Sequence, residues 1–167
     1  MQTIEAMRAI AHDAARNSPG VQRIARAIAA DVASETRSAA TRSSRNRSRS
    51  LLPLLLVVYA FMRERISFKR DTIGVEHLVH PDQLLLEMAQ GRTSADCDCA
   101  SMLGAALLLA MGIPAVFILV SARPDGVLQH VFFGASTRAG VIPLDPQEHF
   151  SPGEWPPFLT RRVIVEV

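Results

Sequence analysis

Apolar residues recur at three- and four-residue steps through residues 3–33: Ile4, Met7, Ile10 and Ala14, then Val21, Ile24, Ile28 and Val32. That period predicts helices with one buried face. Asn17-Ser18-Pro19-Gly20 interrupts the pattern. Ser18 ahead of Pro19 predicts a second helix start, because serine caps an N-terminus and proline fits the first turn. Residues 34–50 offer Ser, Arg, Thr and Ala with almost nothing to bury, which predicts a linker. Residues 51–65 then read as a buried helix, with Pro53 tolerated in its first turn. Ile66-Ser67-Phe68-Lys69 alternates as a short strand does, a short helix is expected over 81–88, and 91–95 reads as a loop.

From residue 97 to 111 the chain is Ala, Leu and Met on nearly every side, as in a central core helix. Gly112 ends it and Pro114 prevents its continuation. A β-branched run over 115–121, the turn Arg123-Pro124-Asp125-Gly126 and a return strand over 127–134 make a hairpin. Further strands are expected over 140–144 and 162–167. A core helix followed by antiparallel strands is an α+β arrangement. The expected organisation is an N-terminal helical arm (1–33), an Arg/Ser-rich linker (34–50) and a main domain (51–167).

Composition changes this picture little. The 167 residues are 49% hydrophobic, enough for a sizeable core. The net charge is +2, but Arg37, Arg42, Arg45, Arg47, Arg49, Arg63, Arg65, Lys69 and Arg70 concentrate basic charge in one stretch. Such a stretch meets phosphate, an anionic membrane or an acidic protein face when it is not simply solvated. No aromatic residues interleave for base stacking and no nucleic-acid module surrounds it, so nucleic acid is not the expected partner. Residues 51–62 are too short to span a bilayer, and Gly112-Ile113-Pro114 cuts the longer apolar run of 102–120. Glu5 and Arg8 break the apolar character of residues 1–10, so no signal peptide is expected there and the protein reads as soluble.

Cys97 and Cys99 are the two cysteines. Two residues apart on one helix they do not meet disulfide geometry. Cys97 falls where a loop enters the apolar helix, and the free N–H groups and positive dipole end of a helix favour thiolate there. Asp96 is a candidate N-cap. The flanking Asp96 and Asp98 oppose a thiolate, so activation requires a histidine partner. Cys99 points to another face and is expected simply to be buried. His130 lies on the return strand, and Asp145 closes the following strand in Ile142-Pro143-Leu144-Asp145-Pro146. Antiparallel neighbours bring such a histidine and carboxylate side by side, and the helix entry packs beside them. A carboxylate there holds an imidazole in one tautomer.

Ala95-Asp96-Cys97-Asp98-Cys99, Leu107-Leu108-Leu109-Ala110-Met111-Gly112-Ile113-Pro114, Gln129-His130-Val131 and Ile142-Pro143-Leu144-Asp145-Pro146 together resemble the transglutaminase-like superfamily. They are most similar to its small versions from tailed bacteriophages and prophages. Arg65-Ile66-Ser67-Phe68-Lys69-Arg70-Asp71, Gly74-Val75-Glu76 and His80-Pro81 also resemble the lead-in of those proteins, so the resemblance spans residues 51–167. It implies a papain-like fold with Cys97 as nucleophile, His130 as general base and acid, and Asp145 as the orienting carboxylate. The family's usual Gly-Asp-Cys-Asp-Asp appears here with Ala95 and Cys99 in its first and last places.

The resemblance further implies thiol acyl transfer on a protein or peptidoglycan amide, as a cysteine protease or amidase, without a cofactor. It implies a role in virion or tail morphogenesis, located in the virion or in the host cytoplasm during assembly. Other phage structural proteins would be met through the N-terminal helices or the Arg-rich segment. The competing reading is a non-catalytic virion component, tail or head, built on the same fold. A structural zinc site is the weaker rival: Cys97, Cys99 and His130 are soft ligands, but a fourth is lacking, and Gly74 and Pro81 place His77 and His80 in a loop. No metal is therefore expected.

Overall fold

The apolar steps of the N-terminal region produce two helices, α1 (Gln2–Asn17) and α2 (Pro19–Ala40). They meet at Ser18, whose Oγ accepts the Val21 N–H at 3.0 Å, the cap that its place before Pro19 predicts. The computed structural model describes residues 2–40, 51–69, 77–91, 93–148 and 150–167. Arg42, Arg45, Arg47 and Arg49 of the basic stretch, and Arg70, Asp71, Gly74, Val75 and Glu76 of the lead-in, lie outside the described residues.

Next come α3 (Leu52–Arg65), β1 (Ile66–Phe68), α4 (Pro81–Ala89), β2 (Thr93–Ala95) and the central α5 (Cys97–Ala110). Four strands follow: β3 (Ala115–Ser121), β4 (His130–Thr137), β5 (Gly140–Leu144) and β6 (Arg161–Glu166). They form an antiparallel sheet in the order β5-β4-β3-β6. The protein is α+β, with the cysteine-bearing helix packed on that sheet. Ten of the fourteen α5 residues are buried, so this helix needs cover on all sides. The sheet supplies one side; α1, α2, α3 and α4 supply the rest.

That need corrects the expected N-terminal arm. Met7, Ala11, Ala14, Val21, Ala25 and Ile28 are buried in the same core cluster as Met102, Leu103, Leu107 and Phe133. The small alanine faces let α1 and α2 approach α5 closely, so residues 1–33 complete the core rather than standing apart from it. α2 also continues through residues 34–40 of the expected linker, and 41–50 lie outside the described residues.

The sheet has two differently covered faces. Val131, Phe133 and Ala135 of β4 face the helices, whereas Phe132 joins Val116, Ile118 and Val120 on the opposite face. Trp155 and Leu159 from the segment before β6 pack over that opposite face. Phe133 sits directly on Gly104 of α5: a Cβ there would come within 2.4 Å of its ring. Only glycine lets the helix lie this close to β4. Gly112, at φ +74°, ends α5 as a C′ residue should. Among the described residues, no helix is long and apolar enough to cross a membrane.

Candidate active site

Three local features bring the site together. α5 begins at Cys97 because Asp96 caps it, its Oδ1 accepting the Cys99 N–H at 2.9 Å. β4 begins at His130, immediately after the Arg123–Gly126 turn and three further residues. Asp145 follows the last residue of β5, where Pro146 stops the strand. Because β5 pairs antiparallel with β4, the far end of one lies beside the start of the other.

The result is a linked constellation. His130 Nε2 and Asp145 Oδ2 are 2.6 Å apart, and Asp145 is buried. The Cys97 sulfur lines the same cleft beside this imidazole, close enough to act on its charge. With Nε2 committed to the carboxylate, Nδ1 is the nitrogen left to serve the sulfur. Burial opposes a charged ring, but the Asp145 hydrogen bond and the Cys97 contact, with the electrostatic pull of both groups, outweigh it and lift His130 to about 10. This shift favours the imidazolium form. As a thiol, Cys97 also donates to Asp98 Oδ1 at 3.4 Å.

These groups open onto a cleft of about 630 Å³. Phe68, Phe150, Pro156, Pro157 and Leu159 give it an apolar wall, with Gln129, Gln147 and Glu148 also at its lining. The wall is brought round by the segment between β5 and β6. Thr160 fixes its end: its N–H donates to Ser121 O at 2.9 Å and its hydroxyl to Arg123 O at 2.6 Å. From α3, Tyr59 OH donates to Phe150 O at 2.7 Å and Arg63 Nη1 to Glu148 O at 2.7 Å.

Cys99 is separated from the cleft. It is buried, accepts the Val79 N–H at 3.1 Å and donates to His77 O at 3.4 Å. Desolvation pushes its thiol up to about 12, with Asp96 and Asp98 acting in the same direction against the Val79 hydrogen bond. Cys97, Cys99 and His130 therefore do not converge as ligands. Among the described residues, no three His, Cys, Asp or Glu side chains gather as a metal-holding group.

Two polar residues emerge here that sequence reasoning missed. Ser101, buried one turn into α5, places Oγ 2.6 Å from Cys97 O and 3.1 Å from Val131 O. It thereby ties the cysteine turn to the histidine strand. Gln147 reaches from the Asp145 loop to Asp96 O, its Nε2 donating at 3.0 Å. Only the first of Ser101's contacts, the four-residue step back along the helix, leaves a trace in the sequence; the others join residues 30 and 51 positions apart.

No family model and no curated protein matches the chain. Among solved structures it is similar to the "Putative Cysteine Protease from Cytophaga hutchinsonii", at 17% sequence identity and a TM-score of 0.40. The similarity covers 56% of this chain and 30% of that one, so the match spans under a third of that protein's length.

Proposed function

We propose that this protein is a thiol acyl-transfer enzyme, a cysteine protease or amidase of transglutaminase-like type. The observation that carries the reading is the His130 imidazole held at 2.6 Å by a buried Asp145 carboxylate, with Cys97 at a helix start beside it on the same cleft. A cysteine at a helix entry is an ordinary packed residue until a cation partner and a cleft accompany it. Here both do.

In the proposed reaction, the Cys97 thiolate attacks an amide carbonyl and a C–S bond forms. The Cys97 N–H, at the helix start with no intrahelical carbonyl to bond, stabilises the oxyanion. As the tetrahedral intermediate collapses, the C–N bond breaks and the His130 imidazolium gives its proton to the leaving amine. Asp145 holds His130 in the Nε2–H tautomer, leaving Nδ1 to exchange the proton. Water then attacks the thioester, its proton passes to His130, and the thiolate leaves a carboxylic acid. Water is the acceptor we assign, since no cleft feature marks an amine site. The apolar wall fits an acyl donor carrying an apolar side chain, from a protein or from peptidoglycan. The motif resemblance to small phage proteins supports a role in virion or tail morphogenesis.

The test is iodoacetamide alkylation across pH, with the modified cysteine mapped by mass spectrometry in wild type and His130→Ala. Fast labelling of Cys97 near neutral pH, slowed at least tenfold by the substitution, is the expected result. Slow labelling indifferent to His130 would sink the catalytic reading and leave a fold kept for assembly.

A further inference from the structure

Asp145 has two carboxylate oxygens, and one hydrogen bond to His130 does not fix its plane. Its Oδ2 takes His130; its Oδ1 accepts the backbone N–H of Gln147 at 3.2 Å. The Gln147 side chain then turns across the cleft floor, donating through Nε2 to Asp96 O at 3.0 Å and approaching Ala95 O at 3.5 Å. Asp96 is the residue before the nucleophile and the cap of its helix. The contacts close a ring: Cys97 to His130, His130 to Asp145, Asp145 to Gln147, Gln147 to Asp96, and by the peptide bond back to Cys97.

We infer that Gln147 is a positioning residue, the strut that holds the His130–Asp145 pair in register with Cys97. The inference rests on the acyl-transfer reading of the site. Without the Gln147 amide, this ring ties the loop carrying Asp145 to the helix entry carrying Cys97 only through His130, the group whose place has to be fixed. Ser101 joins that helix to β4, not to the loop. The loop keeps its other anchors, Arg63 to Glu148 O and Tyr59 to Phe150 O. Losing the strut therefore misaligns the pair without releasing the fold. Small displacements of this kind are costly where a proton must pass between fixed atoms.

The experiment uses the full chain and the substitution Gln147→Met, which keeps the side-chain length and the backbone N–H but removes the amide donor. Two quantities are read in wild type, Gln147→Met and His130→Ala: the pH profile of Cys97 alkylation by iodoacetamide, and the melting temperature. The strut predicts that Gln147→Met lowers neutral-pH labelling about tenfold and moves the profile toward that of an ordinary thiol, while melting shifts by no more than about 2 °C. A profile superimposable on wild type, with His130→Ala still slow, overturns the strut and leaves the acyl-transfer reading standing. A melting loss of 10 °C or more, on the order of 3–5 kcal/mol for a chain of this size, makes Gln147 a structural prop and also overturns it. Wild-type labelling that ignores His130 overturns both readings together.

Discussion

Cys97 and Cys99 share the first turn of α5, yet the two sides of that turn are chemically opposite. On the cleft side, the Cys97 sulfur lies beside an imidazole whose charged form a buried carboxylate favours. On the inner side, the Cys99 sulfur is sealed against residues 77–79 and burial pushes its thiol up to about 12. Both thiols stand at the positive end of the same helix, and both have Asp96 and Asp98 as neighbours. The shared dipole therefore does not decide reactivity: access to the cleft and a cation partner do.

The sharpest way to break this comparison is Cys97→Ser. It should abolish the proposed acyl transfer and all fast alkylation, because the remaining thiol is buried. Fast labelling of Cys99 at neutral pH, mapped by mass spectrometry, would show that the inner side opens readily and that the contrast is not real.

A second test asks what holds the turn in place. Deleting residues 1–40 strips α1 and α2 from α5, whose Met102, Leu103 and Leu107 are fully buried in the core cluster that these helices share. At about 1.5–3 kcal/mol for each large apolar side chain uncovered, the loss is comparable with the usual net stability of a domain, ~5–15 kcal/mol. The truncated chain should lack a cooperative melting transition and should label at both cysteines. A cooperative transition with Cys99 still protected would show that the main domain stands without these helices.

The cleft side also has a pH signature. His130 has an ordinary value of 6.5 and a folded value of about 10. Its contribution to stability is complete below 6.5 and is lost as pH rises from 6.5 through 10. The slope for one proton is at most ~1.4 kcal/mol per pH unit. Wild type should therefore lose melting temperature over this window faster than His130→Ala, in which the coupled pair is absent. Amide turnover should fall on the same alkaline limb, since the leaving amine loses its proton donor. Parallel melting curves would show that His130 is not held charged.

Much of this architecture was legible before folding was considered. β3 and β5 coincide with the apolar runs over 115–121 and 140–144, because glycine and proline bound both. Cys97, His130 and Asp145 were readable for a related reason: each sits at an element boundary that local sequence marks. β2 was not readable. Thr93, Ser94 and Ala95 carry no alternation, and pairing with Ile66, Ser67 and Phe68 makes them a strand. The return strand was placed three residues early. Asp125 Oδ1 takes the Val127 N–H at 3.0 Å and holds the chain in the turn. The packing of α1 and α2 was hidden because an alanine face does not say which helix it will meet. Gln147 was hidden for the strongest reason: its partner, Asp96, lies 51 residues away.

The smallest expected effect is also the one most specific to the comparison. Cys99→Ala removes a buried sulfur together with its bonds to Val79 N–H and His77 O. A buried truncation of this size, with one donor left unpaired, costs about 1–2 kcal/mol. Melting should fall by a few degrees, yet Cys97 should alkylate within about twofold of wild type, because the ring from Cys97 through His130, Asp145 and Gln147 to Asp96 needs only the Cys99 backbone N–H as a cap acceptor's partner. A tenfold loss of Cys97 labelling would mean that the inner side sets the geometry of the outer one. The two sulfurs would then be two ends of a single device, with the residue 77–79 contact as its lever.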